Sequence, residues 1–97
     1  SNSATANDLP PLKPEGIQVE PGYKFLRVSW MANQETDFSH YRVYRNTAND
    51  FATASIQSTT TSNIITDLNV SFDQTYYYWV SVFDLRGQQS LPSTVVY

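Results

Sequence analysis

The stretch Thr75 to Phe83, TYYYWVSVF, constrains this chain more than any other. Its residues are aromatic, β-branched or hydroxylic, and none is Gly or Pro, which is the composition of a strand. Side chains alternate across a strand, so Tyr76, Tyr78, Val80 and Val82 form one face and Tyr77, Trp79, Ser81 and Phe83 the other. The first set can line a core. The second then makes an unusually aromatic outer face.

Shorter runs with the same period of two precede it. Ile17-Gln18-Val19 makes a short strand after the prolines Pro10, Pro11 and Pro14, and Pro21-Gly22 is a turn signal. In Phe25–Trp30, Leu26, Val28 and Trp30 share a face. In His40–Asn46, Tyr41 and Val43 point inward while Arg42 and Tyr44 point outward. Between them, Met31–Ser39 is polar and reads as a loop, as does Asn46–Thr53, where Phe51 is the one residue expected to pack down. Ser55–Thr60 suits a sheet edge. Asn63–Asp67 follows with Ile65 inward, and Leu68 is expected as a plug beneath the turn into Thr75–Phe83. After a turn containing Gly87, Ser93–Val96 closes the series. No apolar pattern holds helical spacing for two turns. The spacing therefore predicts an all-β, antiparallel sandwich of seven strands in two sheets.

At 97 residues the chain makes one domain, able to bury roughly 60–70% of its unfolded surface. Residues 1–10, small and polar, read as a flexible leader, and 11–97 as the domain. No run of about 18 apolar residues is present, so no membrane insertion is expected. No basic stretch precedes an apolar segment, so no signal peptide is visible in this stretch of sequence. The chain reads as a piece of a larger protein. It has no cysteine, which removes disulfide and thiolate chemistry. Six basic residues against nine acidic ones give a net charge of −3. The basic residues are dispersed, without the clustered Lys and Arg that neutralise phosphates, so nucleic-acid binding is not expected.

Three segments in order resemble the fibronectin type III domain, an immunoglobulin-like β-sandwich. The resemblance covers about residues 11–97. Val28-Ser29-Trp30 resembles the family's second strand with its core tryptophan, and Tyr41-Arg42-Val43-Tyr44-Arg45 its third. Leu68 followed by Tyr76-x-Tyr78-x-Val80-x-Val82 resembles its corner and sixth strand. A tyrosine at the start of that strand bonds back across the corner in such sandwiches, and Tyr76 occupies the position. Residues 69–75 depart from the pattern, lacking the Gly and Pro common there. Within the family, Tyr76–Val80 and Asp84 before Gly87 and Ser90 are similar to domains of phage tail-tip host-specificity proteins. They are also similar to spacer modules of secreted bacterial glycoside hydrolases.

Nucleophilic catalysis needs an activated nucleophile with a base in reach. The single histidine, His40, stands beside Ser39, but adjacent strand residues are expected to face opposite ways. The acids Glu35, Asp37, Asp50, Asp67, Asp73 and Asp84 fall at turns and strand ends of a sandwich with a filled interior and no deep cleft, so no glycosidase pair is expected. No zinc or EF-hand spacing is present. No catalytic, metal or cofactor-binding residue is therefore assigned. Arg86-Gly87 begins the integrin tripeptide that some family members display in the same loop, but Gln88 stands where the carboxylate is needed. Asn69-Val70-Ser71 is a glycosylation sequon on an expected loop.

The expected core comprises Val28, Trp30, Tyr41, Val43, Leu68, Tyr76, Tyr78 and Val80. The candidate interaction surface is Arg42, Tyr44, Tyr77 and Trp79, side by side on neighbouring strands. It could brace the sheet, dock a neighbouring domain or another protein, or offer a platform to a glycan. The expectation is a non-catalytic spacer or docking module of a larger extracellular or phage-tail protein. The alternative is an accessory carbohydrate-contacting or spacer module of a secreted bacterial polysaccharide-degrading enzyme.

Overall fold

The alternating segments form six regular strands in the computed structural model, which describes residues 10–97. These are β1 (Gln18–Gly22), β2 (Phe25–Ser29), β3 (Phe38–Asn46), β4 (Ser55–Thr60), β5 (Ile64–Asp67) and β6 (Tyr77–Asp84). Apart from Pro10, the leader expected over residues 1–10 lies outside the described residues. One sheet has the order β1-β2-β5 and the other β4-β3-β6, each with antiparallel neighbours. Residues 90–96 take the seventh position, along the free side of β6. Tyr78 and Val96 exchange backbone hydrogen bonds of 2.9 and 3.2 Å, and the amides of Ser93 and Ser90 donate to the Val80 and Val82 carbonyls. Pro92 cannot donate. The Ser93 and Ser90 hydroxyls accept the Val80 and Val82 N–H groups at 2.9 Å each. Two serine side chains thus stand in for ladder carbonyls that the irregular backbone does not supply.

The facing sides of the sheets meet in a core of Val28, Trp30, Tyr41, Val43, Tyr76, Tyr78, Val80 and Val82. Trp30 meets the Tyr41 ring edge-on at 5.2 Å, the geometry that the aromatic quadrupole favours. The Tyr41 hydroxyl reaches the sandwich end, where it accepts the Asn33 N–H at 2.6 Å.

Two expectations are corrected. Leu68 is not a core plug: it is 74% exposed. The preceding residue, Asp67, points inward and is buried, so strand alternation turns Leu68 out. Val70 packs against the core instead. Pro21-Gly22 is not the turn either. Gly22 pairs with Phe25 at the end of the β1–β2 ladder, leaving Tyr23-Lys24 as a two-residue turn with Lys24 at φ 64. Proline is tolerated on this edge strand. The Phe25 ring folds onto Gly22, so a Cβ there would push that half-exposed ring aside.

The corner into β6 is closed by Tyr76, whose hydroxyl accepts the Ser71 N–H at 2.7 Å. Tyr76→Phe keeps the ring and strands that amide, so it should lower stability by about 1–2 kcal/mol. Tyr77→Phe, one residue on and facing outward, should change stability by less than about 0.5 kcal/mol. Urea denaturation of both variants checks this. Equal losses would mean that the strand phase is wrong.

Candidate interaction surfaces

The outward face of the β4-β3-β6 sheet holds Arg42, Tyr44, Tyr77 and Trp79. Register places Tyr44 opposite Trp79, Arg42 opposite Ser81 and Asn46 opposite Tyr77. The four side chains do not form one open platform. Trp79 points away from the sandwich interior yet is only 5% exposed, because Phe51 covers it. The Phe51 ring meets Trp79 edge-on at 5.7 Å and Tyr44 at 5.0 Å. A single 3-10 turn, Phe51–Thr53, holds Phe51 there. Asp50 caps the turn by accepting the Ala52 N–H at 3.1 Å. The Asn46 amide ties it to β3 through Asp50 O at 2.7 Å and Thr53 Oγ1 at 2.8 Å.

The other members of the face have separate partners. Arg42 lies over the Phe83 ring at 4.6 Å. Tyr77 leans on Tyr97 at 5.0 Å. Gln89 donates to both Tyr44 Oη and Ser81 Oγ, at 2.7 and 2.8 Å. The expectation of an exposed tryptophan beside Arg42 is thereby corrected. Phe51→Ala should uncover Trp79, red-shift tryptophan emission and cost about 1–2 kcal/mol. An unshifted emission spectrum would contradict the lid.

Ser39 and His40 do touch, against the alternation argument: Ser39 Oγ and His40 Nδ1 are 2.9 Å apart. The register shifts between Phe38 and His40, and such a bulge re-aims a side chain. The imidazole is stacked on Phe83, with centroids 4.6 Å apart and planes 12° from parallel. The pair is thus part of the strand packing. Among the described residues, no group of three or more His, Asp or Glu side chains could hold a metal ion. No described helix is long and apolar enough to cross a membrane. The Asp84 Oδ1 atom accepts the Arg86 and Gln88 amides at 2.9 Å each, with Gly87 at φ 84. The Arg86-Gly87 segment is therefore a tight, carboxylate-capped turn.

Asp67 is the polar centre that sequence reasoning missed. Its buried carboxylate accepts from Tyr78 Oη at 2.6 Å, Arg45 Nη1 at 2.9 Å, Gln57 Nε2 at 3.1 Å and its own loop's Asn69 N–H at 3.0 Å. Arg45 also donates to Asn69 O at 2.7 Å and covers the Tyr76 ring at 4.9 Å. Burial, then the hydrogen bond and charge of Asp67, push the Tyr78 hydroxyl well above its ordinary value. It stays protonated and donates. The arrangement joins both sheets to the corner, with its carboxylate fully enclosed. The sequence signal was the strand phase, which puts Arg45 on the same side as Tyr41 and Val43.

A second surface lies at one end of the sandwich. The β1–β2 turn and the loop between β5 and β6 form the walls of a cleft of ≈ 680 Å³. Tyr23 and Phe72 are 84% and 94% exposed there, beside Leu68. Each wall carries a non-glycine residue with positive φ, Lys24 at 64° and Asp73 at 65°. Phe72 and Asp73 belong to residues 69–75, which depart from the sequence pattern of the fibronectin-like corner.

No protein-family model matches the chain, and no curated protein matches it. Solved structures do. An Fn3-like protein from Clostridium thermocellum superposes with TM-score 0.74 at 26% identity, over 90% of each chain. Chicken CNTN1 FN1–FN3 domains superpose at 0.76 and 22% identity, over 90% of this chain and 31% of that one. A β-1,2-glucanase from Parabacteroides distasonis superposes at 0.75 and 24% identity, over 91% of this chain but 13% of that one. The last two likenesses are of fold alone, and in both the chain spans only a fraction of the larger protein.

Proposed function

Because this chain is a fibronectin type III-like domain, we propose that it is a non-catalytic spacer and docking module of a larger, secreted protein. The observation that carries this reading is where its apolar surface is left open. The interior is filled by the packed core, and on the outward sheet face Phe51 and Gln89 cover Trp79 and Ser81. Large rings remain exposed at the loop end, as Tyr23 and Phe72. Such a body holds other bodies at a distance and makes contact through its end.

For the parent, the neighbours favour an enzyme acting on polysaccharide. A β-1,2-glucanase carries a domain of this shape as 13% of its chain. None of the structures named above is a phage-tail protein, so the virion-associated reading has no comparable support. The covered Trp79 also weighs against a flat sugar platform, which makes spacing a better reading than glycan contact. The test replaces residues 11–97 of the parent with a flexible Gly/Ser linker of equal span. Turnover of a small soluble substrate should be unchanged, while action on the extended polymer or assembly with partners should fall. Hydrolysis of polysaccharide by the isolated 97-residue chain would overturn the reading, and binding on a glycan array would move it to the carbohydrate-contacting alternative.

A further inference from the structure

We propose that the apolar end formed by Tyr23, Leu68 and Phe72 pairs with the same end of a second copy of this domain. The inference rests on the docking-module reading and names the partner of that end. A two-fold pair uses one patch on both copies, so the patch must complement itself. This one carries a single cation on one wall, Lys24, and a single anion on the other, Asp73. A two-fold operation through the cleft brings Lys24 of each copy towards Asp73 of the other, giving two opposite-charge contacts around apolar rings. Neither residue is committed by a fold role inside the core. The Lys24 Nζ lies over the adjacent Tyr23 ring at 5.3 Å, and both residues are exposed.

The exposed area has the matching size. Phe72 is 94%, Tyr23 84% and Leu68 74% exposed. Two aromatic rings and one leucine on each copy would bury on the order of 1,000 Å² in total, which is the scale of a weak, reversible interface. The positive φ of Lys24 and Asp73 holds both walls in conformations that L-residues rarely adopt. The competing occupant is another module of the parent chain. Tyr97 lines a neighbouring cleft that shares Pro21, Leu26, Gln74 and Tyr76 with this one, so a continuation of the chain would emerge close by. A second copy presents the same two walls, so a two-fold axis running along the cleft sets each positive wall against a negative one.

Sedimentation equilibrium of the 97-residue chain tests the proposal, from about 20 µM to about 2 mM at low salt, where exposed charge pairs are least screened. The weight-average mass should climb from monomer towards dimer, with Kd on the order of 100 µM. Phe72→Asp should stay monomeric across the range with an unchanged melting temperature. Lys24→Asp and Asp73→Lys should each weaken association about tenfold, because they set like charges against each other. The double variant should regain most of the loss, which a merely sticky patch would not do. A wild type that remains monomeric at the highest concentration overturns the pairing and assigns the end to a different occupant. So does a double variant no better than its parents. Either result leaves the module reading standing, since that is decided by the linker replacement and the hydrolysis assay.

Discussion

Trp30→Ala lowers the stability of this domain by about 3–5 kcal/mol, the range for deleting a large buried ring and leaving a cavity. The indole lies 3% exposed at the end of β2, edge-on to Tyr41. Its backbone is pinned on both sides, with its N–H on Asn63 O at 3.0 Å and its carbonyl accepting Asn63 Nδ2 at 2.8 Å. The surroundings are therefore poorly able to collapse into the space. For a domain with roughly 5–15 kcal/mol in total, the variant is close to unfolded at physiological temperature. Trp30→Phe is the informative partner. The Trp30 Nε1 atom is buried without a hydrogen-bond partner, so phenylalanine sheds volume but also removes an unsatisfied donor. It should cost at least about 1 kcal/mol less than alanine. Chemical denaturation of both decides the matter, and a Trp30→Ala melt within a few degrees of wild type would sink the placement.

Arg45→Met should be as severe, at about 3–5 kcal/mol, for an electrostatic reason. The Arg45 side chain is 20% exposed while the Asp67 side chain is 0% exposed. Removing the guanidinium leaves the carboxylate buried with neutral donors only, and an uncompensated buried charge is more damaging than the pair is stabilising. The loss is not of one contact, since Arg45 also holds the Asn69 carbonyl and covers Tyr76. Adding Asp67→Asn to Arg45→Met should recover stability, because it removes the stranded charge. The two substitutions are then strongly non-additive in a double-mutant cycle. An Arg45→Met variant within about 1 kcal/mol of wild type, or simple additivity, would show that the pair behaves as a surface salt bridge.

The strands were legible wherever one face alone is buried. In β6 the alternation of Tyr76, Tyr78, Val80 and Val82 against Tyr77, Trp79, Ser81 and Phe83 leaves one phase, and a slip of one residue would turn every tyrosine over. The same holds for Leu26-Val28-Trp30 and for Tyr41-Val43. Legibility failed where burial is supplied by something distant in sequence. Trp79 faces outward, as its phase dictates; Phe51 was legible as a residue that packs down, but from a loop 28 residues earlier nothing says that it packs on Trp79. Asp67 failed for another reason. A lone acid at a strand end looks solvated, and only three-dimensional convergence of Arg45, Gln57 and Tyr78 makes its burial tolerable. Leu68 followed from that error, since the inward position at the corner was already taken. The end cleft was invisible because Tyr23 and Phe72 lie in two turns 49 positions apart, and neither turn has a periodicity that says which of its side chains stay outside.

The serine-for-carbonyl pairing of residues 90–96 bears on how such a module survives in company. An unpaired sheet edge is a template for strand addition by another chain, and repeated β-modules at high local concentration are the worst case. Here β6 spends its outward amides on Ser90 and Ser93 within its own chain, and Pro92 denies an incoming strand a donor at the centre of the segment. The seventh segment thus acts less as a strand than as a seal. A stranger can meet the domain through its end, but finds no open ladder to extend along this side. Strand addition is thereby refused along the β6 side, and the edges left to guard are β1, β4 and β5.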